Sequence, residues 1–188
     1  MTTGAVSPRR ADTRRNHERI LAAAAESLAR SGEVSFNTIA KRAEVGVGTV
    51  YRHFPTPEAL ILAVYQREVR HLVDVVPRLL EAHPPDRAFR IWTTDHLARY
   101  MMTKRGLANA LRGVAVSELP ANAQQAMVGA VATLLRANVE AGTVRADLDP
   151  GTVLRGLGGL FYLDPNGDWR GQTESLTDLL WRGMSPGQ

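Results

Sequence analysis

The sequence contains no cysteine, which removes disulfides, thiol nucleophiles and cysteine-bound zinc from consideration together. No apolar run approaches the roughly 18 residues needed to cross a bilayer. The arginine-rich start lacks the apolar stretch of an export signal. A cytoplasmic chain with no membrane partner is therefore expected. Enzyme signatures are missing as well. There is no glycine-rich phosphate loop, no H-E-x-x-H and no G-x-S-x-G, and the carboxylates are scattered. His17, His53, His71, His83 and His96 are too dispersed to suggest a metal site. The expectation is a protein without catalytic residues, metal or cofactor. Strand-length alternation and internal repeats are also lacking, so the expected fold class is all-α.

What is present is a chain of 188 residues, 44% of them hydrophobic. That is enough for a small head fused to a medium body with a real core. Charge is uneven along it. Residues 1–60 carry nine Lys/Arg against six Asp/Glu, four of the arginines before residue 16, and hold +3 of the formal +4. Such an end suits a polyanion, because neutralising phosphates releases counterions. A solvated tail has the same composition, so charge alone does not decide.

Punctuation divides the chain into about nine helices. Residues 1–11 lack periodicity and are expected to form a flexible arm. Ile20, Leu21, Ala24, Ala25 and Leu28 mark one face of a helix over residues 13–30, stopped by Gly32. Ser35 is the expected cap of a short helix over 36–43. Glu44, Val45 and Gly46 form a turn, and a second short helix covers 47–53 until Phe54-Pro55 ends it. Thr56-Pro57 opens a long helix that Pro77 should kink or end, and Pro84-Pro85 breaks it fully. Further helices are expected over 87–103, 107–117, 122–141 and 150–163. Thr173 is the expected cap of the last, which runs to 184, after a turn at residues 164–168.

Two short helices joined by a tight turn, over residues 35–60, make a helix-turn-helix, whose second helix enters the major groove. Val50 and Phe54 should face the core. Gly48, Thr49 and Arg52 should face outward, with Tyr51 and His53 at the helix end. Gly48 allows close backbone approach, and Thr49 can meet a base edge or a thymine methyl. Tyr51 and His53 offer donors to phosphate oxygens.

This stretch resembles the head of the TetR/AcrR family, whose pattern runs roughly T-x-x-x-I-A-x-x-A-G-V-S-x-G-T-x-Y-x-H-F-x-S-K-E-x-L. The match falls on Ile39, Ala40, Ala43, Val45, Gly48, Thr49, Tyr51, His53, Phe54, Glu58 and Leu60. Arg14 and the Arg19-Ile20-Leu21-Ala23-Ala24 run resemble the family's first helix. Three positions depart. Glu44 stands where the family has Gly, Gly46 replaces a Ser or Thr cap, and Pro57 replaces a phosphate-holding lysine. The Gly46 change weakens the cap by only a few tenths of a kcal/mol.

The resemblance implies a ligand-responsive transcription regulator, most naturally a repressor. A head of residues 1–55 would bind a palindromic double-stranded operator through Arg14, Arg15, Ser35, Thr38, Lys41, Val47, Gly48, Thr49, Tyr51, Arg52 and His53. A body of residues 56–188 would bind a small apolar or amphipathic effector and form a homodimer. The last two helices would pair with their copies, which puts Gly156, Gly159, Leu160, Leu176, Leu179 and Leu180 at the interface. Trp92, His96 and Tyr100 stand at i, i+4 and i+8, and with Met101, Met127 and Phe161 they could line the effector pocket. The same residues suit an ordinary core. The rival to the whole scheme is a helical adaptor that has lost DNA binding.

Overall fold

The computed structural model describes the backbone of residues 8–111 and 121–186. Residues 1–7 of the expected 1–11 arm and the end of the expected 107–117 helix lie outside it, while residues 8–11 of that arm are helical. Among the described residues there is no strand, and the order is α1 (Pro8–Ser31), α2 (Phe36–Arg42), α3 (Val47–His53), α4 (Pro57–Ala82), α5 (Pro85–Ile91), a π-helical stretch (Trp92–Ala98), α6 (Arg99–Thr103), α7 (Arg105–Leu111), α8 (Ala121–Glu140), α9 (Pro150–Leu157), a 3-10 stretch (Gly158–Tyr162) and α10 (Trp169–Met184). With residues 85–103 taken as one continuous rod, this makes nine helices.

The first compact unit is built from α1, α2, α3, residues 57–66 of α4, and α7. Its core includes the face read from the periodicity of α1, Ile20, Leu21 and Leu28, together with Ile39, Val50, Leu60 and Val64, all of them buried. Each such side chain contributes roughly 1.5–3 kcal/mol. α1 begins at Pro8 rather than near residue 13, since proline suits the first helical position and its missing N–H is no loss there. α2 packs on both α1 and α3, and α7 packs on α1. That last contact is close: a Cβ at Gly106 would sit 1.7 Å from the carbonyl oxygen of Leu28.

The second unit comprises residues 67–82 of α4, the rod over 85–103, α8, α9 with its 3-10 extension, and α10. Pro77 lies inside α4 and does not end it. An internal proline costs about 3 kcal/mol. Val69, Leu72, Val76 and Leu79 are buried on that stretch, and at roughly 1.5–3 kcal/mol each they outweigh it. Trp92 is fully buried and its indole N–H donates to the Leu72 carbonyl at 2.8 Å. The buried Asn138 amide donates to the Pro85 and Leu134 carbonyls and accepts from the Thr143 hydroxyl.

Three expected elements differ in detail. The rod over 85–103 is π-helical at Trp92–Ala98, where the Thr93 and Thr94 hydroxyls occupy the carbonyls of Phe89 and Arg90. Hydroxyls bonded back to the preceding turn loosen the regular ladder. The helix from Pro150 tightens to 3-10 geometry at Gly158. α10 starts at Trp169, not at Thr173. The Asp168 carboxylate caps it by accepting from the Gly171 N–H at 3.0 Å, while the Thr173 hydroxyl bonds back to Trp169.

Candidate nucleic-acid interface

α2 begins where Ser35, in extended geometry, caps it: its hydroxyl oxygen accepts from the Thr38 N–H, and the two hydroxyls lie 3.2 Å apart. The helix ends in a Schellman motif. The Val45 N–H reaches the Ala40 carbonyl at 3.0 Å and the Glu44 N–H reaches that of Lys41 at 3.3 Å. Such a motif needs a left-handed residue past the cap, and Glu44 takes that place with φ +50°. A side chain there costs about 1–2 kcal/mol. The Glu44 carboxylate pairs with the Arg19 guanidinium of α1 at 2.6 Å, both groups being exposed. An exposed pair returns about 0–1 kcal/mol, so the strain is not recovered locally.

α3 follows from Gly46, which caps through its backbone alone, and ends at Phe54, whose extended conformation precedes Pro55. Val50 points into the core with no exposure, while Val47, Gly48, Tyr51 and Arg52 are exposed. A Cβ at Gly48 would have nothing within 4 Å, so the backbone there is open to a close partner. Arg52 lies along the helix: its Nε donates to the Gly48 carbonyl at 3.1 Å and its Nη2 to the Thr49 hydroxyl at 3.2 Å. The Tyr51 ring stands edge-on to Phe36 of α2, 4.7 Å between centroids. That contact fixes the ring and leaves its hydroxyl end in solvent. Lys41 is exposed on the last turn of α2, and Arg14 and Arg15 are exposed on α1. The expected DNA residues thus belong to α1, α2 and α3 of one unit.

Sequence reasoning did not find the Arg19–Glu44 pair or the neighbour of His53. The His17 ring of α1 lies 5.6 Å from that of His53 and 5.0 Å from that of Phe54. Burial, with the charges of His17 and Arg52, lowers the His53 pKa. The neutral form is therefore favoured in the fold. Its stabilising contribution is full above the ordinary value of about 6.5 and is lost as pH falls through the lower folded value. Thermal melting of the free protein should accordingly drop more steeply below about pH 6.5 than that of His53→Gln. Parallel curves would discount the histidine.

In the second unit Trp92, Met101 and Met127 are buried, His96 and Tyr100 are half-buried, and Phe161 is exposed. Burial and His71 lower the His96 pKa. A groove of about 270 Å³ lies between α5 and α10, lined by Arg90, Ile91, Thr94, Glu174, Thr177 and Asp178. None of the six expected effector residues lines it. Gly156 and Gly159 sit close under Leu180 and Leu176 of α10, so these glycines let two helices of the same chain approach. Leu160 is buried within the chain, whereas Leu179, Phe161 and Tyr162 are exposed.

A seven-residue helix with Tyr51 and Arg52 exposed and Thr49 half-buried beside them, following a short helix across a tight turn, is the reading head of a helix-turn-helix regulator. Residues 20–64 match the model of bacterial regulatory proteins of the tetR family, and residues 84–186 match that of the C-terminal domain of SbtR-like transcriptional regulators. A TetR transcriptional regulator from Streptomyces coelicolor is 38% identical, with 92% of this chain and 99% of that one covered and a TM-score of 0.74. The TetR transcription regulatory protein from Mycobacterium vanbaalenii is 35% identical over 95% of this chain and 100% of that one, also at 0.74. Thermus thermophilus FadR, a TetR family repressor solved with lauroyl-CoA, is 24% identical over 92% and 96% and shares the fold at 0.61. No curated protein matches. The chain belongs to the TetR family of transcriptional regulators. Regulators of this family bind operator DNA as dimers and respond to small-molecule effectors. Among the described residues no helix is long and apolar enough to cross a membrane.

Proposed function

We propose that the protein is a cytoplasmic, ligand-responsive repressor that acts by binding and not by catalysis. It holds a palindromic operator as a homodimer and is released by a small apolar or amphipathic effector. Residues 1–55 form the DNA-binding head and residues 56–188 the ligand-binding and dimerising body. The observation that carries this reading is the outer face of α3, where Thr49 and Arg52 are joined by a hydrogen bond beside the exposed Tyr51. Thr49 and Arg52 read base edges. Tyr51, His53, Ser35, Thr38, Lys41, Arg14 and Arg15 hold phosphates, while Val47 and Gly48 let the helix seat closely.

In the body, His96 and Tyr100 supply polar handles beside the apolar Met101, Met127 and Trp92. Phe161 joins the effector site, and Leu176, Leu179 and Leu180 meet the second copy. The lauroyl-CoA held by the Thermus thermophilus relative favours an effector with a long apolar part. α4 is continuous over Pro57–Ala82, with residues 57–66 in the first compact unit and 67–82 in the second. An effector that prefers one setting of this helix shifts the population of heads able to span two half-sites.

Fluorescence-anisotropy titration against the DNA upstream of its own gene, at several salt concentrations, tests the reading. Wild type should bind with a steep salt slope, and Tyr51→Ala should bind at least about tenfold more weakly. Binding no stronger than to scrambled DNA, there and after selection from a random library, would overturn it.

A further inference from the structure

We infer that Glu44 sets the strength of sequence-independent DNA binding, by holding Arg19 in an ion pair at the groove-entering end of α3 and keeping that arginine off the phosphates. The inference rests on the DNA-binding reading above.

Among the described residues, three helices end with a residue in the left-handed region. Gly32 closes α1 at φ +71°, Gly142 closes α8 at φ +70°, and Glu44 closes α2 at φ +50°. The last two share one hydrogen-bond scheme: the Gly142 and Thr143 N–H groups reach the Val139 and Asn138 carbonyls as those of Glu44 and Val45 reach Lys41 and Ala40. Where only the turn matters, the chain uses glycine. At residue 44 it bears the strain of a side chain, and an exposed pair returns less than the strain removes.

The carboxylate therefore does not serve the local fold. What it does is electrostatic. Glu44 lies two residues before the Gly46 cap of α3 and two and three residues after the exposed Arg42 and Lys41, and the N-terminal end of a recognition helix is the end that meets base edges. With its guanidinium 2.6 Å from Glu44, Arg19 is one cation fewer for the backbone. Each phosphate neutralised adds about 0.9 to the salt slope. Thr49 and Arg52, which read sequence, are left unchanged.

The test uses a random-sequence duplex and the full-length protein. Glu44→Gln keeps the side chain and removes the charge, and Glu44→Gly also removes the strain. Both should bind the random duplex roughly three- to tenfold more tightly at low salt, with a slope steeper by about 1 for each head. In an Arg19→Gln background the gain from Glu44→Gln should fall to half or less on a logarithmic scale. Unchanged slopes, or a gain of which more than half survives without Arg19, would overturn the inference. Wild type that fails to bind DNA at all would instead remove the reading beneath it. Wild type that binds normally beside unaltered Glu44 variants would sink Glu44 alone.

Discussion

Arg52→Ala should weaken operator binding by roughly 30-fold at the least and about twenty-thousand-fold at the most. A well-aligned arginine contact to a base edge contributes about 1–3 kcal/mol of discrimination, a dimer carries two copies, and about 1.4 kcal/mol is a factor of ten. The side chain is aligned before DNA arrives, because Gly48 and Thr49 of its own helix hold its Nε and Nη2. Ordering it on binding therefore costs less than ordering a free arginine. Alanine also releases the Thr49 hydroxyl from its partner. The distinguishing measurement is the pair of duplexes. Arg52→Ala should lose most of its affinity for the operator and little for scrambled DNA, whereas Arg52→Lys should recover scrambled binding but not operator binding, since an ammonium lacks the planar fork. Equal losses on both duplexes would make Arg52 a phosphate contact.

Gly106→Ala should destabilise the free protein by about 3 kcal/mol or more, at or above the upper end of ordinary overpacking. The added Cβ would stand 1.7 Å from the Leu28 carbonyl oxygen, 2.8 Å from its carbon and 3.0 Å from the Gly32 Cα. All three are backbone atoms, so no rotamer change relieves the clash and α7 must move off α1. Domains are commonly stable by about 5–15 kcal/mol, so this loss is large. Urea denaturation would show it as a lower midpoint at unchanged slope. Gly129→Ala is the matching control. It lies inside α8 with nothing within 4 Å, and should gain up to about 1 kcal/mol from helix propensity. A Gly106→Ala midpoint equal to wild type would mean that α7 is not held against α1 as described.

The head was legible because local chemistry marks its ends. Ser35 caps α2 and Pro55 stops α3, and both helices start where expected. Val50 and Phe54 are buried and Tyr51 and Arg52 exposed as the spacing required. The start of α10 was misjudged because Asp168 and Thr173 are both capping residues, and only three-dimensional geometry decides which hydroxyl or carboxylate meets a free N–H. The Arg19–Glu44 pair joins residues 25 positions apart, beyond the reach of any helical period. Gly106 stood in the expected connection between the 87–103 and 107–117 helices, so nothing in the sequence marked it as a helical glycine with another backbone against it.

The stretch Trp92–Ala98 was invisible for a different reason: apolar spacing is scored at 3.6 residues per turn, and this stretch is not built that way. A turn closed from i to i+5 holds one residue more than an α-helical turn. The rod over 85–103 therefore carries a phase offset of about 100° between its two halves, the angle that one residue occupies in an α-helix. Phe89 on one side and Met101 and Met102 on the other are all buried, so the core on both sides is fitted to that offset. Removing a single residue from the stretch would restore a regular helix and turn the second half like a key, bringing Met101 and Met102 out of register with the packing they now complete.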